Sequence, residues 1–380
     1  MSGFEDRLKQ MHDLYATRTV WDVPEDYFSW GRDKRHLLDD SEALAEEPVH
    51  NEKKPMIKRL ARTVRYALRK LRGSNIQDRD PQGFEDLLRI RYASFASTYD
   101  LMSNEASKTL FAELIYMKIV GPENMRLSTF TNEFVETYEK ASDSILNATG
   151  ERLIYGWKLK KVKFDSPSIE LFTAPTVVNN HLAGRLYEYN HGDVHISVCP
   201  GDIVIDGGVG WGDTTTYLAA KASDGKAGKV FAFDILEDGL TVLKEQVALN
   251  PGVNVEPVFL ALTDVNDELL SVANPGPGAY LSDQKGATTV KTCRIDTFVS
   301  NRNLETVNFI KMDIEGAEIP ALTGASDTIR NFKPKLAISA YHKWDDLLAI
   351  PTLIHSIRND YEFYLDCTTG FGGEIVLYCR

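Results

Sequence analysis

The residues whose types and spacing could do chemistry cluster between positions 206 and 342. Ile203-Val204-Ile205-Asp206-Gly207-Gly208-Val209-Gly210-Trp211-Gly212-Asp213 is an apolar strand that runs into a glycine-rich turn and then a helix start. Open α/β sheets hold small ligands at such a turn. A dinucleotide favours G-x-G-x-x-G, but the third glycine slot counted from Gly208 is Asp213. The run fits D-x-G-x-G-x-G instead, through Asp206, Gly208, Gly210 and Gly212. That pattern suits S-adenosylmethionine. A carboxylate at Asp206 matches its ammonium, bare glycine backbone admits the methionine portion, and the helix start at Asp213 receives the carboxylate. No Gly-Lys-Ser/Thr follows, which excludes a P-loop.

Two further strand ends extend the same ligand. Phe231-Ala232-Phe233-Asp234 offers an acidic side chain that can accept both ribose hydroxyls. Leu260-Ala261-Leu262-Thr263-Asp264 places Asp264 to accept from the adenine amino group, with Ala261 and a neighbouring backbone N–H beside the ring. Phe309-Ile310-Lys311-Met312-Asp313-Ile314-Glu315-Gly316-Ala317-Glu318 then brings three carboxylates and a lysine to the same sheet edge. Methyl transfer is an in-line displacement at the sulfonium, so the protein must align the acceptor and handle its proton. Asp313, Glu315 and Lys311 are candidates for that work, and His342 is the candidate base, because imidazole titrates near neutrality. Asp313, Glu315 and Glu318 also resemble part of a hard-cation site, so Mg²⁺ stays open, although no metal is assigned. The bland readings are that Glu318 starts a helix, Lys311 neutralises its neighbours and His342 caps the next helix.

These residues need an alternating scaffold, and the chain supplies one after residue 200. Strand, helix, strand, helix recurs to Lys335–Tyr341, which implies a mostly parallel sheet with covered faces. Tyr361–Cys367 and Glu374–Cys379, joined by Gly370-Phe371-Gly372-Gly373, form a terminal antiparallel hairpin. Upstream, residues 151–200 are a β-rich lead-in and residues 80–150 are helical. Residues 1–79 join an acidic segment, without helical or alternating period over 1–52, to a basic amphipathic helix at 55–72. That helix packs on its own protein or touches an anionic membrane.

Hydrophobic residues make up 43% of the 380, enough for a real core, and the net charge of −12 argues against a broad nucleic-acid-binding face. The four cysteines form no C-x-x-C pair. No apolar run approaches the ~18 residues of a membrane span, and the N-terminus lacks a signal-peptide core, so the expected location is cytoplasmic, with peripheral contact at the inner membrane face as the variant reading.

The glycine run, the acidic end of strand two, Ile310–Glu318, Leu322-x-Gly324-Ala325 and Ala340-Tyr341-His342 with Asp346 together resemble the FkbM-type family of S-adenosylmethionine-dependent methyltransferases, over about residues 200–380. The resemblance implies a Rossmann-like class I α/β fold, a seven-stranded sheet with a reversed terminal hairpin, here behind a helical N-terminal extension. It implies O-methylation of a hydroxyl on a saccharide, glycolipid or natural-product precursor. By the same resemblance Asp206, Gly208, Gly210, Asp234 and Asp264 hold the cofactor, while Asp313, Glu315 and His342 line the acceptor site. Asp234 stands where many members have glutamate, and the first 150 residues exceed the catalytic core. The rivals are an NAD-dependent oxidoreductase on a similar sheet and a catalytically silent adaptor acting through residues 55–72. The partner expected is a small-molecule or glycan acceptor and not nucleic acid, and the oligomeric state is open.

Overall fold

The structure is a computed structural model. It describes residues 3–16, 92–120, 127–129, 131, 136, 148, 150–154, 157–174, 177, 184–273, 276, 278–282, 288–343, 345–369 and 372–380. The basic segment at 55–72 therefore lies outside the described residues.

Helix α1 (Gly3–Ala16) forms inside the stretch for which the sequence showed no period. Phe4, Leu8 and Met11, spaced four and three apart, are buried on one face of it. Phe4 packs among Phe95, Tyr99 and Phe111 at centroid distances of 5.4–5.9 Å. Helix α2 (Glu105–Val120) is buried continuously from Leu110 to Met117, as expected of a helix covered on all sides.

The lead-in gives a three-stranded antiparallel sheet of β1 (Glu151–Ile154), β2 (Trp157–Asp165) and β3 (Ser168–Thr173), followed by a small pair, β4 (Tyr189–His191) and β5 (Val194–Ile196). The central sheet begins with β6 (Ile203–Gly207), α3 (Asp213–Ala222), β7 (Lys229–Asp234), α4 (Glu237–Leu249) and β8 (Val255–Phe259). Next comes β9 (Ala261–Leu262), then β10 (Leu269–Ala273), β11 (Tyr280–Ser282) and β12 (Thr289–Cys293), which build a side sheet ordered β11-β10-β12-β9. The sequence pattern did not show this side sheet. Helix α5 (Ile295–Asn301) leads to β13 (Phe309–Met312), α6 (Glu318–Thr323), α7 (Ser326–Phe332), β14 (Lys335–Ser339), α8 (Asp346–Ile357), β15 (Phe363–Cys367) and β16 (Ile375–Cys379). The helical stretch after β13 is two helices that meet at Gly324 and Ala325, and Gly324 lies against the Thr263 backbone: a Cβ there would sit 2.0 Å from its carbonyl oxygen.

The seven-stranded sheet has the order β15-β16-β14-β13-β6-β7-β8. Within it β6, β7, β8, β13 and β14 are parallel, and β16 runs antiparallel to both of its neighbours. Chain order reverses between β6 and β13, and a ligand crevice opens beyond the carboxyl ends at such a reversal. Burial explains the strand sequences. Every residue of β13 and β16 is buried, so these read as continuous apolar runs apart from Lys311. The edge strand β15 is not left bare: Ser103 Oγ and Ser107 Oγ accept from the N–H groups of Phe363 and Leu365 at 2.8 and 2.9 Å. No described helix is long and apolar enough to cross a membrane.

Candidate active site

The glycine loop leaves β6 at the sheet edge and is held from below. Gly208 has φ +85°, and a Cβ there would fall 1.8 Å from the Asp313 carbonyl oxygen, so β13 and the loop touch backbone to backbone. Gly210 also has positive φ, but its Cβ direction meets nothing within 4 Å and faces a cavity. Gly212 serves packing instead, its missing Cβ filled by Leu243 of α4.

Asp206 lies beneath the loop and does not line the cavity. Its carboxylate accepts from Thr215 Oγ1 at 2.6 Å and sits 3.1 Å from Lys311 Nζ. Lys311 in turn donates to the carbonyls of Gly207 and Gly208 at 3.1 and 2.5 Å, and its ammonium lies 5.0 Å from the Tyr187 ring centroid. The expectation that Asp206 meets a cofactor ammonium is thus corrected, since a fully buried carboxylate is committed to Lys311. Lys311 moves from the candidate catalytic set to loop support, because its donors are spent on Asp206 and loop carbonyls.

The cavity has a volume of about 300 Å³, in the range of small-ligand sites. Asp234 lines it: Oδ2 accepts from Val209 N and Gly210 N at 2.9 and 3.1 Å, and Oδ1 from Leu236 N at 2.8 Å. A carboxylate has about four acceptor sites, so one remains for a ribose hydroxyl. Burial raises the Asp234 pKa against the pull of these three N–H groups. Asp213 also lines the cavity, and burial pushes it up to about 6 although Thr173 Oγ1 donates to it at 2.5 Å. Ala261 lines the cavity with Leu260, Leu262, Leu236 and Leu281, an apolar wall that suits a purine ring. Asp264 is exposed and away from the cavity, which corrects its assignment to adenine. The residues in its place come from the side sheet. The donor set fits S-adenosylmethionine: open backbone at Gly210, acceptor capacity at Asp234 and an apolar wall.

At the other end stand Asp313, Glu315, Glu374, Tyr187 and Tyr341. Asp313 accepts from Tyr187 OH at 2.7 Å and Tyr341 OH at 3.1 Å. Burial alone would raise its pKa, but His342, Lys311 and Tyr187 outweigh burial and hold it far below the carboxylate range. Glu315 has φ +54°, a left-handed backbone that costs a non-glycine residue about 1 kcal/mol or more. Burial and the charges of Asp313 and Glu318 raise its pKa.

His342 is behind this wall. Its Nδ1 is 2.9 Å from Glu318 Oε1 and its Nε2 3.2 Å from Asp313 Oδ1. Burial would lower its pKa, yet the bonds and charges of these two carboxylates push it up to about 10. Carboxylates on both sides favour the protonated ring, and His342 does not line the cavity, so the structure places it as a partner of Asp313 and Glu318 and not at the acceptor. The same geometry bears on a metal. Asp313, Glu318 and His342 are the one such cluster among the described residues, and there Nδ1 of the ring is turned to Glu318 and Nε2 to Asp313. Mg²⁺ finds no support here.

Sequence reasoning missed Tyr187, Tyr341 and Glu374 as site residues. Tyr187 comes from 126 positions away from Asp313 and carried no local motif. Glu374 had a readable signal: β16 is reversed, so its start, not its end, reaches the reactive edge.

An open sheet of this order, reversed at β16 and carrying a glycine loop after β6 and an acidic end on β7, is a Rossmann-like α/β sheet. Residues 195–363 match the family model described as a methyltransferase FkbM domain. Among solved structures, a methyltransferase FkbM from Methylobacillus flagellatus is 20% identical at a TM-score of 0.49, over 78% of this chain and 60% of that one. A Streptococcus mutans protein assigned as a methyltransferase and solved with S-adenosylhomocysteine is 15% identical at 0.31, over 48% and 89%. A Methanococcus jannaschii fibrillarin is 13% identical at 0.35, over 61% and 86%. No curated protein matches the sequence significantly.

Proposed function

We propose that the protein transfers a methyl group from S-adenosylmethionine to a hydroxyl of a neutral, polyhydroxylated acceptor, a saccharide or glycoconjugate precursor. The observation that carries this reading is the acceptor end of the cavity, where the carboxyl groups of Asp313, Glu315 and Glu374 stand among Tyr187 and Tyr341. Carboxylates accept hydrogen bonds from several hydroxyls, and aromatic faces cover the apolar side of a ring. An anionic acceptor would meet like charge there, and a repelled wrong substrate is part of specificity.

The bound cofactor supplies an electrophilic methyl on a sulfonium. The chain does the rest. Asp234 and the Leu260–Leu262 wall fix the nucleoside, Gly210 leaves room for the methionine portion, and Lys311 keeps the loop rigid from below. Asp313, held by two tyrosine hydroxyls and faced by the His342 ring, is a fixed negative charge that orients acceptor hydroxyls. The test is transfer of labelled methyl from S-adenosylmethionine into neutral methyl glycosides and into their phosphorylated counterparts, with the product linkage read by NMR. Methyl ethers on neutral sugars support the reading. Transfer only to phosphorylated acceptors, or to amines, contradicts it.

A further inference from the structure

The acceptor proton needs a destination, and His342, the base that sequence spacing favours, does not line the cavity. His342 holds its protons between Asp313 and Glu318, and both Asp313 oxygens already accept hydrogen bonds. The remaining carboxyls on this wall are Glu315, with a 41% exposed side chain, and Glu374.

Glu374 reaches the wall because of strand direction. The five parallel strands deliver their ends to the reactive edge, but β16 is antiparallel and delivers its beginning. Ser339 pairs with Val376, and Ala340 N donates to Ile375 O at 2.9 Å, so Glu374 comes level with Tyr341, to whose hydroxyl it is bonded. The turn before it is braced twice. Thr369 Oγ1 accepts from Gly373 N and Glu374 N at 2.8 and 3.1 Å. Gly372, at φ +69°, lies against Leu114 and Met117 of α2, with 3.3 Å from its Cβ position to each.

The groups facing Glu374 are Asp313 and Glu315 from the end of β13, Tyr341 and His342 from the end of β14, Tyr187 from the lead-in and Cys367 from β15. Burial, followed by the charge of Asp313, pushes its carboxyl up to about 8, while Tyr341 and His342 pull the other way. Neighbouring carboxyls driven in opposite directions mark different tasks in acid–base chemistry.

Resting on the proposed transfer to a hydroxyl, we propose that Glu374 is the catalytic proton acceptor and that the arriving sulfonium of S-adenosylmethionine switches it into the carboxylate form. A cation brought beside a protonated carboxyl favours loss of its proton, so cofactor charge arms the base. In the transfer, an acceptor oxygen lone pair forms the O–CH₃ bond as the S–CH₃ bond breaks. That bonding pair stays on sulfur, giving a neutral thioether. The acceptor proton passes to a Glu374 carboxylate oxygen and restores its protonated resting form, so the one proton lost per turnover is the one released to solvent when the sulfonium bound.

The test needs no acceptor. Calorimetric titration at pH 7 in two buffers of different ionisation enthalpy counts the protons released on binding. The wild-type protein is expected to release close to one proton per chain with S-adenosylmethionine and almost none with S-adenosylhomocysteine, which lacks the charge. Glu374→Gln should bind both and lose the release, while Glu374→Asp should retain it. If Glu374→Gln does not fold, the infrared carboxylic-acid stretch of the wild type replaces it: present with the thioether, lost with the sulfonium. Binding of both ligands with equal proton release, or a release unchanged in Glu374→Gln, overturns the inference and leaves the proposed function standing. A folded protein that binds neither ligand overturns both.

Discussion

His342 keeps its charge because each ring nitrogen faces a carboxylate, and the consequence can be read as stability against pH. An unfolded histidine titrates near 6.5, and the folded one at about 10. The folded state therefore holds the proton more tightly. The stabilisation is complete below about 6.5 and is lost as pH rises toward about 10. His342→Gln should cost a few kcal/mol at pH 6, with the gap to the His342 parent closing by pH 10, in urea unfolding followed by circular dichroism. Glu374 shifts stability in the same direction and is coupled to His342, so the comparison is made in the Glu374→Gln background, where only the His342 contribution changes with pH. A gap that stays constant across this window contradicts the assigned charge. Asp206 and Lys311 form the other buried pair. Asp206→Ala leaves Lys311 uncompensated and should cost about 3–5 kcal/mol, while Asp206→Ala with Lys311→Met should recover much of that. Recovery would show that Asp206 acts through the loop and not on a ligand.

The lead-in strands matter to the cavity through α4. Gln246 is fully buried; its Oε1 accepts from Phe172 N at 2.8 Å, and its amide donates to the carbonyls of Phe172 and Trp211. One side chain thus ties β3 to the glycine loop. Asn250, one turn on, repeats the device with Glu170 N and O at 2.8 and 2.7 Å. Gln246→Ala should cost on the order of 3 kcal/mol, since it strands a buried backbone N–H and two carbonyls. Thermal unfolding checks this, and loss of less than about 1 kcal/mol contradicts it. These elements also show what the sequence could reveal. The loop, Asp234 and Asp313 were legible because a strand end, a glycine turn and a helix start are local and follow one another in the chain. The charge of His342 was not, because it depends on Asp313 and Glu318 meeting it from two sides. Nor was the β10–β12 side sheet, whose short strands close one wall of the cavity without a long alternating pattern.

The molecule as a whole is more than its family-matched stretch. Residues 195–363 exclude Tyr187 and Glu374, and they exclude β1–β3, whose Val162, Ile169 and Leu171 share a core with Tyr217, Leu218 and Leu240 of α3 and α4. A chain beginning at residue 195 should therefore lack a cooperative unfolding transition, as differential scanning calorimetry would show; a truncated chain with full-length stability contradicts this. Helix α2 closes the other flank, capping β15 and bracing the turn before Glu374, so the N-terminal region bears on the acceptor side of the site. The most direct test of the account is calorimetric titration of the folded full-length protein with S-adenosylhomocysteine, with NAD⁺ as control and Asp234→Ala alongside. The account predicts one site per chain for S-adenosylhomocysteine, a loss of ~1–3 kcal/mol in the variant and no heat from NAD⁺. Saturable NAD⁺ binding, or no S-adenosylhomocysteine binding at all, would contradict it.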